Sequence, residues 1–438
     1  MARKVFISVL GTGLYEKCKY ARDNFESTET HFIQSATLEY LNVKNWSEGS
    51  MGLFLLTDSA KKSNWDKTIT QRRDTRINQD VIYPGLEGII EKMKLPLKIK
   101  PLTIPDGNNE EQIWEVFSKT FKELKDGDEL YFDVTHAFRF LPMLILILCN
   151  YAKFLKGITL KSITYGNYEA RNKETNIAPI IDLLPLSQLQ DWTFAAGQYL
   201  ETGNVDRLVE LSNSELKPIL IEAKGTNEDA NNLRVFISSL NNVVKERQTC
   251  RGLSLIKSES FGKLKKTTEK IIDGCLIKPL EPVISKIKDS FADFDTNENI
   301  KNGFASAKWC FNNKLYQQAA TILQEVVVSF FCNRHKIAID DDTRREIVNQ
   351  ALILKFYHQE NEEGDNWSRV SDVDKPTLAD ILTDELLSDE VAANFNNLSE
   401  VRNDYNHSGM RSRRQPLKPD AIIKNIEKCI NEFENLFI

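Results

Sequence analysis

The sequence lacks any apolar run long enough to cross a membrane: the longest, Leu141 to Cys149, falls far short of the roughly 20 residues such a helix needs. The amino terminus, Met-Ala-Arg-Lys followed by Val5 to Leu10, has no small-residue cleavage site, and a glycine pair and a charged segment come next. No secretory signal is therefore expected, and the expected location is the cytoplasm. Paired cysteines are missing too. Cys18, Cys149, Cys250, Cys275, Cys310, Cys332 and Cys429 are scattered singly, with no C-x-x-C and no Cys/His pair at zinc-ligand spacing. Buried thiols in a reducing compartment, and no metal, are the expectation. There is no excess of positive charge: the net charge of −6 excludes a protein that coats nucleic acid non-specifically, though not a nuclease whose site alone is basic. Two nucleotide motifs are incomplete or absent. Gly11-Thr12-Gly13 opens like a dinucleotide fingerprint, but Glu16 occupies the third glycine position, and no G-x-x-x-x-G-K-[ST] occurs. A nicotinamide dehydrogenase and a P-loop enzyme are both excluded on those grounds. No repeat of fixed period and no low-complexity tract is present.

What is there divides into two textures, and 438 residues are too many for one ordinary core. Residues 1–185 alternate strand-like and helix-like segments. Strands are expected at Lys4–Leu10, Gly52–Thr57, Leu97–Ile104, Glu129–Thr135, Leu160–Gly166 and Ile177–Leu184, with helices at Glu110–Leu124 and Arg139–Leu155 among them. That order implies an α/β, Rossmann-like domain with a mostly parallel sheet. The apolar runs do not alternate, as befits strands buried on both faces. Residues 186–438 read as all-α, with only four prolines between Pro185 and residue 400. Leu315, Ala319, Ile322, Val326 and Val327 share one helical face, and Ile422, Ile426, Ile430, Phe433 and Phe437 share another, behind a Pro419-Asp420 start signal. The acidic stretch Glu360–Asp365 reads as a solvated loop.

In an open parallel sheet, ligands bind beyond the carboxyl ends of the strands, at the topological switch point. Three expected strand ends carry suitable residues: Gly11-Thr12-Gly13-Leu14, whose backbone N–H groups could approach a phosphate; Thr57-Asp58; and Asp133-Val-Thr135-His136-Ala-Phe-Arg139. The last offers a hydroxyl, an imidazole and a guanidinium close together. In the helical half, Arg402-Asn403-Asp404-Tyr405-Asn406-His407 stands at the end of an apolar-faced helix closed by Gly409 and Pro416, in a chain with only five histidines. A histidine can move a proton while a 2′-hydroxyl attacks the adjacent phosphorus, and a guanidinium can stabilise the phosphorane, without metal. Asn403 could position either partner. On a straight helix Arg402 and His407 are about 140° apart, so the helix must distort or a second copy must complete the site. Arg411, Arg413, Arg414 and Lys418 follow, a local basic patch suited to an RNA backbone. His335 and His358 read as surface or loop residues.

Taken in order, the Gly11-Thr-Gly13 turn, the Asp133-Val-Thr-His136 strand end and the Arg402-Asn-x-x-x-His407 string resemble the CRISPR-associated Rossmann-fold (CARF) proteins that carry a C-terminal HEPN ribonuclease domain, ancillary effectors of type III CRISPR systems. Tyr165-Gly-Asn-Tyr168 has a similar look. The resemblance implies a CARF sensor at 1–185, a helical connecting segment at 186–300 and a HEPN domain at 301–438. It implies a cyclic oligoadenylate activator, tetra- in preference to hexa-adenylate, and no further cofactor. The activator would sit against Gly11, Thr12, Gly13, Leu14, Thr57, Asp58, Asp133, Thr135, His136 and Arg139. Arg402, Asn403 and His407 from two copies of a homodimer or higher homo-oligomer would cut single-stranded RNA, held by Arg411, Arg413 and Arg414. Many relatives have glycine after the Thr-His pair, where this chain has Ala137 and Phe138, so the pocket shape departs from the pattern. Two other readings stay open: a non-enzymatic nucleotide sensor, and a nuclease that degrades its own activator at Asp133–Arg139.

Overall fold

The computed structural model describes residues 2–67, 70–74, 77–136, 140–272, 281–358, 370–411 and 415–437. Arg139, Cys275, the Glu360–Asp365 stretch, Arg413 and Arg414 lie outside the described residues. The chain divides into two compact units, Met1–Gln188 and Leu189–Ile438.

In the first unit the strands are β1 (Lys4–Leu10), β2 (Lys19–Arg22), β3 (Phe25–Glu26), β4 (Ser50–Leu56), β5 (Thr70–Asp74), β6 (Gln79–Tyr83), β7 (Leu97–Thr103), β8 (Glu129–Asp133), β9 (Thr159–Gly166) and β10 (Ile177–Asp182). Eight of them form one sheet in the order β3-β2-β10-β9-β8-β1-β4-β7, and β5 and β6 pair as a separate hairpin. From β9 to β7 every pairing is parallel, while β10 runs antiparallel to β9. The chain thus winds outward from β1 through β4 to β7, returns, and winds the other way through β8 and β9. This is the Rossmann-like order, with its switch point between β1 and β8.

Residue alternation along β1 explains why both faces are covered. Val5, Ile7 and Val9 enter one apolar cluster with Val116, Leu141, Leu144 and Leu148. Phe6 and Leu10 enter another with Phe32, Leu38, Trp65, Leu86 and Ile90. The helices supplying those layers are α1 (Ile33–Tyr40) and α2 (Leu86–Met93) on one side, and α3 (Glu110–Glu123) and α4 (Leu141–Lys156) on the other. Asn109 caps α3 by accepting from Gln112 N at 2.9 Å. Pro142 sits in the first turn of α4, where its missing N–H costs nothing. β7 is the sheet edge, and Lys98 and Lys100 mark it as one that resists further pairing.

The second unit is helical. Beyond α5 (Leu184–Thr202), its main helices are α6 (Glu228–Gln248), α7 (Glu259–Ile272), α8 (Ile300–Asn312), α9 (Tyr316–Arg334), α10 (Asp342–Phe356), α11 (Lys375–Leu382), α12 (Asp389–Asn406) and α13 (Pro419–Phe437). One apolar cluster joins Trp192, Phe236 and Leu240 to Leu323, Val327, Leu398 and Phe433, so residues on either side of position 300 share a core. α9 lies at its centre, packed against α8, α10, α12 and α13. Its sequence fits that place, since apolar residues occur on every side of it. The six described cysteines are all free, and all but Cys250 are buried.

Candidate functional site

The Gly11-Thr12-Gly13 turn follows β1 at the switch point, and a buried side chain from another segment holds it. Asn64 donates through Nδ2 to Gly11 O at 2.7 Å and to Gly13 O at 2.9 Å. Gly11 N–H in turn donates to the Tyr15 hydroxyl at 3.1 Å. A Cβ at Gly11 would lie 2.8 Å from that hydroxyl, so only glycine lets the rigid phenol come so close. The Tyr15 ring stacks on the His136 imidazole, with centroids 4.0 Å apart and planes 18° from parallel.

At the end of β8 the polar cluster is tied together from within. Asp133 is fully buried; its carboxylate accepts from Ser8 Oγ at 2.7 Å and from Thr135 Oγ1 and N at 2.5 and 3.2 Å. Burial raises its pKa, and the Thr135 and Ser8 hydrogen bonds oppose that rise. Thr135 Oγ1 also accepts from Gly166 N at 2.8 Å, which links β8 to the end of β9. The hydroxyl has therefore spent its only donor on Asp133. His136 is half-buried, and desolvation lowers its pKa to about 4, so its ring is neutral at pH 7. Its Nε2 has no hydrogen-bond partner among the described residues.

These groups form the back of a cavity of about 360 Å³. Gly13, Leu14, Thr135 and His136 line it together with Tyr15, Glu16, Tyr20, Tyr165 and Tyr168. Four phenol rings among the lining suit planar heteroaromatic groups, which stack on any aromatic face. Glu16 accepts from the Tyr168 hydroxyl and, at 3.2 Å, from Arg171 Nη2; the Arg171 guanidinium lies 4.0 Å from the Tyr168 ring centroid. Gly11 and Asp133 support the cavity from behind, and Thr12 is exposed on the turn. Thr57 and Asp58 are elsewhere: Thr57 is buried and caps a short helix by accepting from Ala60 N at 3.2 Å, and Asp58 is exposed. Asn64 and Tyr15 escaped the sequence reading, since a lone asparagine before a tryptophan carries no motif.

In the second unit α12 begins at a Ser388 cap and ends at Asn406. Ser408 and Gly409 then take left-handed backbone at φ +52° and +70°, and Gly409 N donates to Asp404 O at 2.9 Å, closing the helix in the usual glycine fashion. Arg402 projects toward α9, where Nη1 donates to Gln324 Oε1 at 2.8 Å. His407 stands just past the helix end with its side chain exposed, and Asn403 is half-buried. The helix is regular over its length, so within one chain the two residues diverge. Arg411 pairs with Glu400 at 2.6 Å. His335 stands in the turn just past α9, half-buried between carboxylates: Nδ1 lies 2.7 Å from Asp380 and Nε2 3.0 Å from Asp384, whose carboxylate also takes Arg334 at 2.8 and 3.0 Å. Among the described residues no cluster of metal-ligating side chains occurs, and no helix is long and apolar enough to cross a membrane.

A Rossmann-like sheet with a cavity at its switch point is the arrangement of a ligand-binding α/β domain. Residues 5–169 match the family model described as CRISPR system endoribonuclease Csx1, CARF domain, and the first unit is a CARF domain. The chain is 27% identical over 370 residues to the CRISPR-associated protein MJ1674 of Methanocaldococcus jannaschii, across 76% of this chain and 55% of that protein. It thus spans just over half the length of this curated relative. Among solved structures, Enterococcus italicus Csm6 bound to cyclic hexa-2′-fluoro-hexa-dAMP aligns with all of this chain and 94% of its own, at 11% identity and a TM-score of 0.43. The family match and the archaeal relative carry the expected resemblance to CRISPR-associated proteins with an N-terminal CARF domain.

Proposed function

We propose that this chain is an ancillary endoribonuclease of type III CRISPR defence, switched on by a cyclic oligoadenylate at the CARF cavity and cutting single-stranded RNA in the cytoplasm with its helical unit. The observation that carries the reading is the co-occurrence, in one chain, of the CARF domain with an Arg402-Asn403-x-x-x-His407 string at a helix carboxyl end. Residues 301–438 are then a HEPN domain, and residues 186–300 connect it to the sensor. Tyr15, His136 and the turn at Gly11–Gly13 face the activator, for which the tetra-adenylate ring is preferred over the hexa-adenylate.

The cleavage step uses this chain's own groups. The 2′-oxygen attacks the adjacent phosphorus, the bond to the 5′-oxygen breaks, and the products are a 2′,3′-cyclic phosphate and a 5′-hydroxyl. His407 moves the proton, its exposed position at the helix end leaving it open to a bound strand. Arg402 stabilises the charge that develops on phosphorus, and Asn403 orients the scissile group. Because Arg402 and His407 diverge on one helix, two copies supply the cleft. α4 supports that assembly: Met143, Ile147, Tyr151 and Phe154 form one exposed apolar stripe, with Phe154 at 87% exposure, and a second copy of the chain is its occupant.

The test is cleavage of a fluorogenic single-stranded RNA in EDTA, with no addition, cyclic tetra-adenylate or cyclic hexa-adenylate, using His407→Ala as control. Activator-dependent cutting that vanishes in the variant is the expected result. Tight activator binding with no cutting under any condition would leave a non-enzymatic sensor.

A further inference from the structure

Arg402 meets two consecutive side chains of α9. Gln324 Oε1 accepts from its Nη1 at 2.8 Å, and Glu325 Oε1 lies 3.8 Å from the same nitrogen. Each of the two is itself fixed. Gln324 Nε2 donates to Ser399 Oγ at 3.0 Å, and Ser399 gives its own proton to Phe395 O at 3.0 Å. The Ser399 oxygen can therefore only accept, which orients the Gln324 amide with its oxygen toward the guanidinium. The second Glu325 oxygen takes Arg345 Nη2 at 2.7 Å, and Arg345 is pinned by Ser329 Oγ at 2.8 Å and Ile339 O at 3.0 Å. Gln324 is 9% exposed among apolar neighbours of α9, where an amide is costly unless both its ends are bonded.

We infer that Gln324 and Glu325 are positioning residues for the phosphate-facing guanidinium of Arg402; this rests on the nuclease reading above. They take Nη1 and leave the opposite edge, Nε with Nη2, without a hydrogen bond to the described residues. That edge is the planar fork that matches two phosphate oxygens. Glu325 also sets the local charge, since a single carboxylate is shared by Arg402 and Arg345. The substrate edge is thus chosen by α9, a helix outside the Arg402-to-His407 string.

The experiment uses the full chain with saturating cyclic tetra-adenylate or hexa-adenylate, whichever activates. It reads single-turnover RNA cleavage, and anisotropy of a non-cleavable 2′-O-methyl RNA for binding. Gln324→Met keeps the volume and loses both polar contacts. Cleavage should fall by roughly 10- to 100-fold, the scale set by misplacing a catalytic group, with RNA affinity changed less than about threefold. On an Arg402→Lys background, which has no fork to orient, Gln324→Met should add nothing. Glu325→Gln, at a half-exposed position that folding tolerates, should tighten RNA binding while slowing cleavage by roughly threefold, a split that lost packing would not produce. Cutting at the wild-type rate by Gln324→Met, or an equal loss on the Arg402→Lys background, overturns the proposal. If Gln324→Met does not fold, Glu325→Gln decides alone: unchanged rate and affinity overturn it. A wild-type chain that cuts no RNA, or an Arg402→Ala variant that cuts normally, removes the nuclease reading first and the proposal with it.

Discussion

Replacing Thr135 by valine removes one hydroxyl and disturbs two strands. In the native chain that hydroxyl donates to buried Asp133 at 2.5 Å and accepts from the Gly166 amide at 2.8 Å. Valine is close to isosteric, so no cavity opens and the cost is polar. A buried N–H left without an acceptor costs about 1–3 kcal/mol, and losing a hydrogen bond to a charged group costs about 1.5–3 kcal/mol. Asp133 keeps Ser8 and the Thr135 amide, which limits its share, so we expect a total of about 3 kcal/mol. For a unit of this size that corresponds to a fall in melting temperature of roughly 6–12 °C. Calorimetry would read the fall, and hydrogen exchange would locate it, because the Gly166 amide should lose its protection while the distant β4 amides keep theirs. Thr135→Ser, which keeps the hydroxyl, should behave nearly as wild type. Thr135→Val melting within about 1 °C of wild type, with Gly166 still protected, would refute the bridging role.

Three further outcomes follow from the same geometry. His136 has its pKa lowered by burial from 6.5 to about 4, so the folded chain binds this proton less tightly than the unfolded one. Its contribution is full above pH 6.5 and is lost as pH falls through about 4, a span worth about 3 kcal/mol. His136→Phe should keep the stacking on Tyr15 and flatten that part of the urea-midpoint profile; parallel profiles for the two proteins would count against it. Asn64→Ala removes both clamps on the Gly11–Gly13 turn and should cost about 2 kcal/mol and weaken activator binding in calorimetric titration; unchanged affinity would mean the turn holds its shape unaided. Ile147→Asp with Phe154→Asp places charge on the exposed stripe of α4 and should shift light-scattering mass toward the monomer, whereas an unchanged oligomer would send the interface elsewhere.

The fold class was legible because the signals are collective. Six apolar runs separated by helical patterns suffice for a parallel sheet, and all six strands are present with small shifts: β4 starts at Ser50 and β8 ends at Asp133. The short strands β2 and β3 were not legible, since Lys-Tyr-Ala-Arg and Phe-Glu carry no period and pair only because β10 offers an edge. At the cavity, the sequence pointed to strand ends, and the ends of β1 and β8 do meet. The end of β4 lies one strand farther from the switch point, so Thr57 serves as a cap rather than as lining. Asn64 and the lining tyrosines come from separate stretches of chain, which topology alone brings together. The partners of His335 were hidden for the same reason: its carboxylates belong to residues 380 and 384, 45 and 49 positions along the chain.

If a ligand at the CARF cavity governs cutting by the helical unit, one paired titration shows it most directly. Cyclic tetra-adenylate binding and RNA cutting are measured on the same preparations of wild type, His136→Ala and His407→Ala. His407→Ala should bind the ring like wild type and cut nothing, and His136→Ala should need at least about tenfold more ring for half-maximal cutting. Equal cutting by wild type with and without the ring, or wild-type cutting by His407→Ala, would contradict it.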